Sequence, residues 1–173
     1  MPSGDRRLST SEIERANRVQ GPARSIVVVL DGLRSRHNVG SIFRTADSFG
    51  IARIELCGNT PCPPHREIEK TALGATATVP WQYHEHTAER LKQLKEEGFT
   101  VFAVEQTLGA IALREVVLPA GPLALVFGNE LSGVSDEVIG ICDACMYIPQ
   151  FGSKHSLNVS VCAGVVLWWL NGV

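Results

Sequence analysis

The chain has 173 residues, of which 45% are hydrophobic and 20% are charged, and its formal net charge is −2. These values predict one well-buried domain and exclude a disordered or collagen-like chain. Nucleic-acid-binding proteins usually carry a basic excess, and the overall composition shows none.

Cysteine usage favours a reduced, cytoplasmic protein. The sequence contains Cys57, Cys62, Cys142, Cys145 and Cys162. An odd number of cysteines, mostly within apolar segments, is typical of buried free thiols. The CxxC at 142–145 lacks a second cysteine pair with the spacing of a zinc site. The HEH segment at 84–86 is interpreted as a solvated loop. No metal site is therefore predicted. The sequence shows neither a secretion signal nor an apolar stretch long enough to span a bilayer.

Residues 1–24 are polar and basic, and we interpret them as an arm that precedes a folded domain at residues 25–173. The segment STSEIERANRV within the arm is predicted to form a short helix. Its candidate N-caps are Ser9, Thr10 and Ser11. Glu12 or Glu14 would then lie near the positive end of the helix dipole.

From Ser25 onwards, strand and helix patterns alternate. SIVVVLD is a β-branched run typical of a strand covered on both faces. NVGSIFRTADSFGI follows with helical spacing, Asn38 as a candidate N-cap and Gly50 as its stop. RIELCG, FTVFAVE, PLALVFGNE and CMYIPQ are further predicted strands.

TAERLKQLKEEG is a predicted helix with Thr87 as its N-cap and Gly98 as its stop, and SDEVIGIC is a short helix capped by Ser135. KTALGATATVPW has no clear pattern and is left unassigned. A final helix follows the last strand. The alternation predicts an α/β fold with a mostly parallel sheet and helices on both faces. Neither GxGxxG nor a phosphate-binding P-loop is present, which argues against a standard dinucleotide fold or a P-loop ATPase.

Polar residues follow three of the predicted strands, and the carboxyl ends of parallel strands meet at one edge of a sheet. In RHNVGSIFRTADSFG, Arg44 interrupts an apolar helix face. Three interpretations stay open: it pairs with Asp47 at i,i+3, its side chain points to solvent, or it serves a function. In VFGNELSGV, Gly128 and Gly133 flank Glu130, which indicates either a backbone-lined ligand loop or only a tight turn.

The third polar segment, IPQFGSKHSLNVS, leads into the last helix. Ser156 is a candidate N-cap of this helix. Asn158 needs a specific partner, because an amide in the first turn of a buried helix is costly when unpaired.

Together these segments resemble the motifs of the SpoU-type (TrmH-type) RNA ribose 2′-O-methyltransferases of the SPOUT superfamily, over about residues 25 to 170. The matching residues are Asn38 and Arg44, then Gly128, Glu130 and Gly133, then Ile148, Pro149, Ser156, Leu157, Asn158 and Ser160. The resemblance implies a deep trefoil knot in the C-terminal third of the domain. It also implies S-adenosylmethionine as the cofactor.

The resemblance further implies roles for individual residues. The cofactor-binding candidates are Gly128, Ile148, Leu157, Gln106, Thr107 and Ser156, and the stretch from Glu105 to Thr107 would line the pocket. The catalytic candidates are Arg44, Asn38, Glu130, Ser156 and Asn158. Because a guanidinium stays protonated at neutral pH, we expect Arg44 to grip a phosphate and stabilise oxyanion charge rather than act as a base.

The implied partners are RNA and a second copy of the chain. The RNA-binding candidates are Arg34, Arg36, Arg44, Arg6 and Arg7, and with Arg15, Arg18 and Arg24 they concentrate positive charge in the first quarter of the chain. The last helix is apolar on nearly every face, and Trp168 and Trp169 cannot both enter one core, which favours a homodimer.

The expected substrate is transfer RNA, with ribosomal RNA as the second choice, because the short arm contrasts with the separate N-terminal RNA-binding domain of many relatives that modify ribosomal RNA. Two other interpretations stay open. One is a non-catalytic RNA-binding or assembly protein on the same scaffold, and the other is a small-molecule O-methyltransferase. Neither DNA nor a membrane is an expected partner.

Overall fold

The structure is a computed structural model that describes residues 7–16 and 24–172, with only the backbone described for residues 14–16. Within this part of the chain, seven strands form one sheet in the order β3-β2-β1-β6-β4-β7-β5. The strands are β1 (Ile26–Asp31), β2 (Arg53–Cys57), β3 (Trp81–His84), β4 (Thr100–Val104), β5 (Ile111–Ala112), β6 (Leu123–Phe127) and β7 (Ala144–Tyr147). All neighbouring pairs are parallel.

Apart from the first, short helix in the arm, the helices lie on both faces of the sheet, as predicted. The helices are α1 (Thr10–Ala16), α2 (Arg36–Ser48), α3 (Arg66–Ala72), α4 (Ala75–Thr78), α5 (Thr87–Glu96), α6 (Asp136–Ile139) and α7 (Val159–Asn171). Val28 and Leu30 of β1 join the core cluster formed with α2, α3, α4 and α7. The alternate residues Val27 and Val29 join the cluster formed with α5 and α6. This continuous burial explains why β1 reads as an unbroken apolar run.

The two clusters hold the sheet between helical layers, and each fully buried Leu, Ile or Phe side chain contributes about 1.5–3 kcal/mol. The strand order is compatible with a C-terminal trefoil knot. Strand order alone does not define how the chain is threaded, so the knot stays a prediction.

Several helix starts differ from the sequence prediction. The N-cap of α2 is Ser35, whose hydroxyl accepts a hydrogen bond from the backbone N of Asn38 at 3.3 Å, so the prediction of Asn38 as the cap was wrong. His86 occupies the N-cap position of α5, and the predicted cap Thr87 instead donates its hydroxyl to Asp31 Oδ1 at 2.5 Å. The prediction for Ser135 is confirmed, since its hydroxyl accepts from Val138 N at 3.4 Å.

The arm helix α1 shows a capping box. Glu12 N donates to Ser9 Oγ at 3.4 Å, and Glu12 Oε2 accepts from Ser9 N at 2.8 Å. The side chain of Glu14 and the remainder of the arm, residues 1–6 and 17–23, lie outside the described residues.

The unassigned segment contains α3's last residues, α4 and the start of β3. A left-handed backbone at Gly74, with φ of 92°, separates α3 from α4. His84 is the last residue of β3, which is an edge strand of the sheet. The prediction that residues 84–86 form a solvated loop was therefore wrong for His84. The two-residue strand β5 was also missed, because such a short element has no periodicity to read.

The part of the chain that the structure describes has neither a metal-binding cluster nor a membrane-spanning helix. No group of three or more His, Cys, Asp and Glu side chains is arranged to hold a metal ion there. None of the helices there has the length and apolar character needed to cross a membrane. All five cysteines are free thiols.

A buried charge cluster joins β2 to α5 and β3. The Glu55 side chain is fully buried and accepts hydrogen bonds from Arg53 Nε at 2.7 Å and Arg90 Nη2 at 2.9 Å. His84 Nε2 lies 2.8 Å from its second oxygen. Burial opposes ionisation, but the hydrogen bonds from Arg53, Arg90 and His84 outweigh it and lower the pKa of Glu55.

Replacing Glu55 with Gln is expected to destabilise the protein by about 3–5 kcal/mol at pH 7, because it removes the buried counter-charge of Arg90 and leaves only the part-exposed Glu97, 2.7 Å from Arg90 Nη1, to pair with it. Since the folded pKa lies below the ordinary value of 4.5, the ion pair stabilises the fold above that pH and its contribution is lost as the pH falls through the folded pKa. Urea unfolding at several pH values should show the difference from wild type shrinking in acid. Equal stability of Glu55→Gln, wild type and the exposed-site control Glu96→Gln at pH 7 would contradict this.

Candidate active site

A cleft of about 440 Å³ lies beyond the carboxyl ends of β4 and β6, between the loop 128–134 and the start of α7. Its lining residues are Glu105, Gly128, Asn129, Glu130, Leu131, Ser132, Gly133, Ser156, Leu157, Asn158, Val159 and Cys162. A smaller cavity of about 80 Å³ shares Glu105, Ser156, Leu157 and Cys162 with it. The second and third polar segments thus meet at one edge of the sheet, as predicted.

Glu130 joins the loop 128–134 to the loop that follows β1. Its Oε2 accepts from Arg34 N at 2.9 Å, and its Oε1 accepts from Ser35 N at 3.0 Å and from Asn38 Nδ2 at 2.9 Å. Partial burial raises the pKa of Glu130, but these N–H donors outweigh it and lower the pKa overall. Glu130 is therefore a charged carboxylate that already accepts three hydrogen bonds, and it is poorly suited to take up a proton.

Asn38 links the first motif to the other two. Its Nδ2 donates to Glu130, and its Oδ1 accepts from Asn158 Nδ2 at 3.2 Å. Ser35 caps α2, and the Asn38 side chain bonds to these two partners. Asn38 is the residue in which the three motifs physically converge.

Asn158, not Ser156, is the N-cap of α7. Its Oδ1 accepts from Ser160 N at 2.9 Å and from Ser160 Oγ at 2.7 Å. The predicted need of Asn158 for a specific partner is met by Asn38 and Ser160. Ser156 instead lies in the preceding loop, exposed, where it lines both cavities.

The loop 128–134 folds back on itself so closely that only glycine fits at its ends. Asn129 and Gly133 exchange backbone hydrogen bonds of 3.0 and 2.9 Å. A Cβ atom on Gly128 would collide with the backbone of Gly133 and Val134. Gly133 has a φ of 68°, and a Cβ there would meet the carboxylate of Glu105.

Asn129, which was not among the predicted site residues, fastens this loop to the neighbouring strand end. Its Nδ2 donates to Gly32 O at 2.6 Å, and its Oδ1 accepts from Leu131 N at 2.9 Å. An asparagine between a glycine and a functional glutamate is a turn signal, and that pattern could have identified it.

The other cofactor-binding candidates surround the smaller cavity. Ile148, Leu157 and Gln106 line it, and Gln106 Nε2 also donates to His155 O at 2.9 Å. Thr107 is absent from the described lining of both cavities, and its carbonyl accepts from Ala110 N at 3.1 Å.

Arg44 is exposed on α2, and within the described residues its side chain has neither a hydrogen bond nor an ion pair. It does not pair with Asp47, whose Oδ1 accepts from Thr78 Oγ1 at 2.6 Å. The structure therefore agrees with the alternative in which the Arg44 side chain points to solvent, where a substrate could reach it.

The other candidate arginines divide into three groups. The Arg34 side chain is exposed, and Arg36 lies 3.7 Å from Glu67 Oε2 at a site where both side chains are about half exposed. Arg24 Nη1 donates to Pro119 O at 2.8 Å and so has a structural partner. Arg7 is exposed, and Arg6 lies outside the described residues, as do Arg18 and the Arg15 side chain.

A parallel sheet with a ligand-sized cleft between glycine-containing loops at its carboxyl edge defines an α/β protein that binds a small molecule at that edge. The sequence places it further. Residues 25–168 match the model of the SpoU rRNA Methylase family, and the chain belongs to that family.

Curated relatives and solved structures agree with this membership. The chain is 35% identical over 143 residues to the tRNA (guanosine(18)-2′-O)-methyltransferase of Thermus thermophilus, covering 83% of this chain and 72% of that protein. It is 34% identical over 142 residues to the 23S rRNA (guanosine-2′-O-)-methyltransferase RlmB of Neisseria meningitidis, covering 82% of this chain and 56% of that protein.

The AdoMet-bound rRNA methyltransferase from Sinorhizobium meliloti superposes with a TM-score of 0.80 at 29% identity, covering 89% of this chain and 59% of that one. The A. aeolicus TrmH/SpoU tRNA modifying enzyme superposes with a TM-score of 0.79 at 28% identity, covering 94% and 82%. The chain therefore spans little more than half the length of several of the proteins it matches.

Replacing Gly128 with Ala is expected to destabilise the protein by about 1–3 kcal/mol, because the obstructing atoms are backbone and cannot rotate away. Gly152→Ala is the matched control, since its added methyl group would meet nothing within 4 Å. Urea denaturation of both variants and wild type measures the difference. Unchanged stability of Gly128→Ala would show that the backbone of Gly133 and Val134 can move away from the added methyl group at little cost.

Proposed function

We propose that this protein is an S-adenosylmethionine-dependent RNA methyltransferase that transfers a methyl group to a ribose 2′-hydroxyl. The observation that carries the proposal is the junction at Asn38, which contacts both Glu130 and Asn158 at the rim of the cleft. The relatives named for guanosine 2′-O-methylation support the reaction type. Transfer RNA is the favoured substrate and ribosomal RNA the second, because the match covers 72% of the tRNA-named relative but 56% of the rRNA-named one.

The cleft suits S-adenosylmethionine. Its volume of about 440 Å³ falls in the range of small-molecule sites. Its walls combine the bare backbone at Gly128 with the apolar side chains of Leu157 and, in the adjoining cavity, Ile148. Glycine at 128 leaves no side chain between the ligand and the loop backbone. The cofactor supplies an electrophilic methyl group on a sulfonium.

The residues around the cleft divide the remaining tasks. Glu130 and Asn38 hold the loop after β1 in place, and Asn158 fixes the start of α7 beside them. Arg44 stays free to bind the phosphate beside the target ribose and to stabilise negative charge on the 2′-oxygen as its proton leaves. Ser156 lines the cleft and positions the ligand or the ribose.

Calorimetry with S-adenosylmethionine, followed by mass spectrometry of nucleosides from unmodified tRNA and rRNA incubated with the protein, tests the proposal. Cofactor binding with a new 2′-O-methylnucleoside is the expected result. RNA binding without cofactor binding at millimolar concentration would instead favour the non-catalytic scaffold. Methylation of a small hydroxyl compound but no RNA would favour the small-molecule enzyme.

Arg44→Lys is expected to weaken RNA binding and to slow methyl transfer, because an ammonium cannot form the bidentate phosphate contact. Cofactor affinity should be unchanged, since Arg44 does not line either cavity described. RNA gel shifts, calorimetry and single-turnover rates separate these effects, with Lys92→Ala on α5 as the control cation. A pH–rate profile that follows the substitution while RNA affinity stays constant would contradict the phosphate role.

We also propose that the protein forms a homodimer through α7. The buried residues of α7 are Ala163, Val166, Leu167 and Leu170, while Val161, Val165 and Trp168 are exposed at helical spacing on another side. Trp168 is 67% exposed, whereas Trp169 packs against the core, so the two tryptophans do point to different environments.

A twofold contact suits this exposed stripe. In an isologous interface each residue faces its own copy or a near neighbour, and α7 has no charged residue that would oppose a like charge. An apolar cavity of about 170 Å³ beside Trp168 continues the surface.

Trp168→Glu is expected to convert the dimer to a monomer, because it would place two carboxylates at the twofold contact. Sedimentation measures the mass. Tyr83→Glu on the distant edge strand β3 is a matched exposed aromatic and should leave the mass unchanged. Because α7 also carries Asn158, we expect the monomer to lose methylation activity, and an active monomer would show that assembly and catalysis are independent.

The domain limits follow the same proposal, with an arm at residues 1–24 and the methyltransferase domain at residues 25–173. The family match that begins at residue 25 supports this division. Free thiols at all five cysteines support a cytoplasmic setting, where thiols stay reduced.

A further inference from the structure

Glu105 stands at the boundary between the two cavities of the site. It follows β4 directly and lines both the cleft of about 440 Å³ and the cavity of about 80 Å³. Its Oε2 accepts from Val134 N at 2.9 Å, and its Oε1 accepts from Gln106 N at 2.8 Å. A carboxylate offers about four acceptor positions. Glu105 therefore holds the loop 128–134 and still has acceptor capacity for a ligand.

The charge around the cavities is one-sided. Two carboxylates, Glu105 and Glu130, line the cavities. The described residues of the lining include no Lys, Arg or His. Glu130 is largely committed, since it accepts from two backbone N–H groups and from Asn38. Glu105 is thus the carboxylate best able to act on a bound molecule.

The field of Glu105 extends across the cleft to α7. Burial, and after it the negative charge of Glu105, raises the pKa of Cys162 to about 11. Cys162 lines both cavities and stays a neutral thiol at neutral pH, so it adds no charge of its own. A positively charged ligand would meet attraction from this wall with no opposing cation.

We infer that Glu105 is a specificity-determining residue that favours the sulfonium cofactor over the demethylated product. This rests on the proposed function, because it takes S-adenosylmethionine as the ligand. When the methyl group passes to the ribose oxygen, the C–S bond breaks, the new C–O bond forms, and the hydroxyl proton passes to water. The sulfur keeps the electron pair of the C–S bond and becomes a neutral thioether. S-adenosylhomocysteine therefore differs from the donor by one methyl group and one positive charge. The loss of that charge weakens the attraction to Glu105 and favours product release.

Calorimetry with S-adenosylmethionine and S-adenosylhomocysteine tests the inference without requiring turnover. Glu105→Gln should weaken binding of the sulfonium by about tenfold and binding of the thioether by less than about twofold. Glu105→Asp keeps the charge and should retain the preference for the sulfonium. Glu96→Gln, which removes the same charge from an exposed site on α5, should change neither affinity.

Salt provides a second measurement on the unaltered protein. The preference of wild type for the sulfonium should shrink between about 50 mM and 500 mM NaCl, because salt screens the attraction, while Glu105→Gln should show no such trend. If Glu105→Gln fails to fold, the salt series and Glu105→Asp still decide the question.

Equal weakening of both ligands by Glu105→Gln, with a salt-independent preference in wild type, would overturn the inference and leave Glu105 only its role in holding Val134. Failure of wild type to bind either ligand would overturn the proposed function, and the inference with it. The two failures are therefore distinguishable.

Discussion

The carboxylate of Glu130 is the contact on which the site depends. It reaches from the loop after β6 to the backbone N–H groups of Arg34 and Ser35 and to the side chain of Asn38. A β1 end and a β6 end are neighbours in the sheet, but nothing in a parallel sheet by itself holds the loops beyond it together. The charge-assisted N–H donors to Glu130 perform that task together with Asn129, whose Nδ2 donates to Gly32 O at 2.6 Å. The close contact between Gly128 and the backbone of Gly133 lies in the same cleft, as does the start of α7.

This use of Glu130 shapes the chemistry available to the site. A carboxylate whose pKa is lowered by its own loop contacts is a structural anion and a poor base. Arg44 is the contrasting case, because it is exposed and has no partner among the described residues. The cleft is thus lined by carboxylates that already accept hydrogen bonds, while Arg44 is an exposed cation on α2 outside that lining. Such an arrangement suits a cationic methyl donor in the cleft and an anionic RNA backbone outside it.

The last helix carries both a residue of the third motif and the exposed stripe proposed as the dimer contact. Asn158 caps α7 and contacts Asn38, while Trp168, near the other end, is exposed on a stripe directed away from the core. The abrupt change from a polar loop to an apolar helix is explained by these two environments. Because α7 is one rigid element of 13 residues, movement at the exposed stripe would be transmitted to the motif at its start.

The sequence alone determined the layered α/β fold, the buried strands and the motif residues, because continuous apolar runs and glycine-bounded loops are local patterns. It could not determine the caps of α2 and α7, since Ser35, Asn38, Ser156 and Asn158 are all competent cap residues and local preference does not choose among them. The tertiary structure shows the outcome: Ser35 caps α2, while the Asn38 side chain bonds to Glu130, which is distant in sequence. Long-range hydrogen bonds of this kind depend on the sheet that brings the loops together, and only the folded chain contains them.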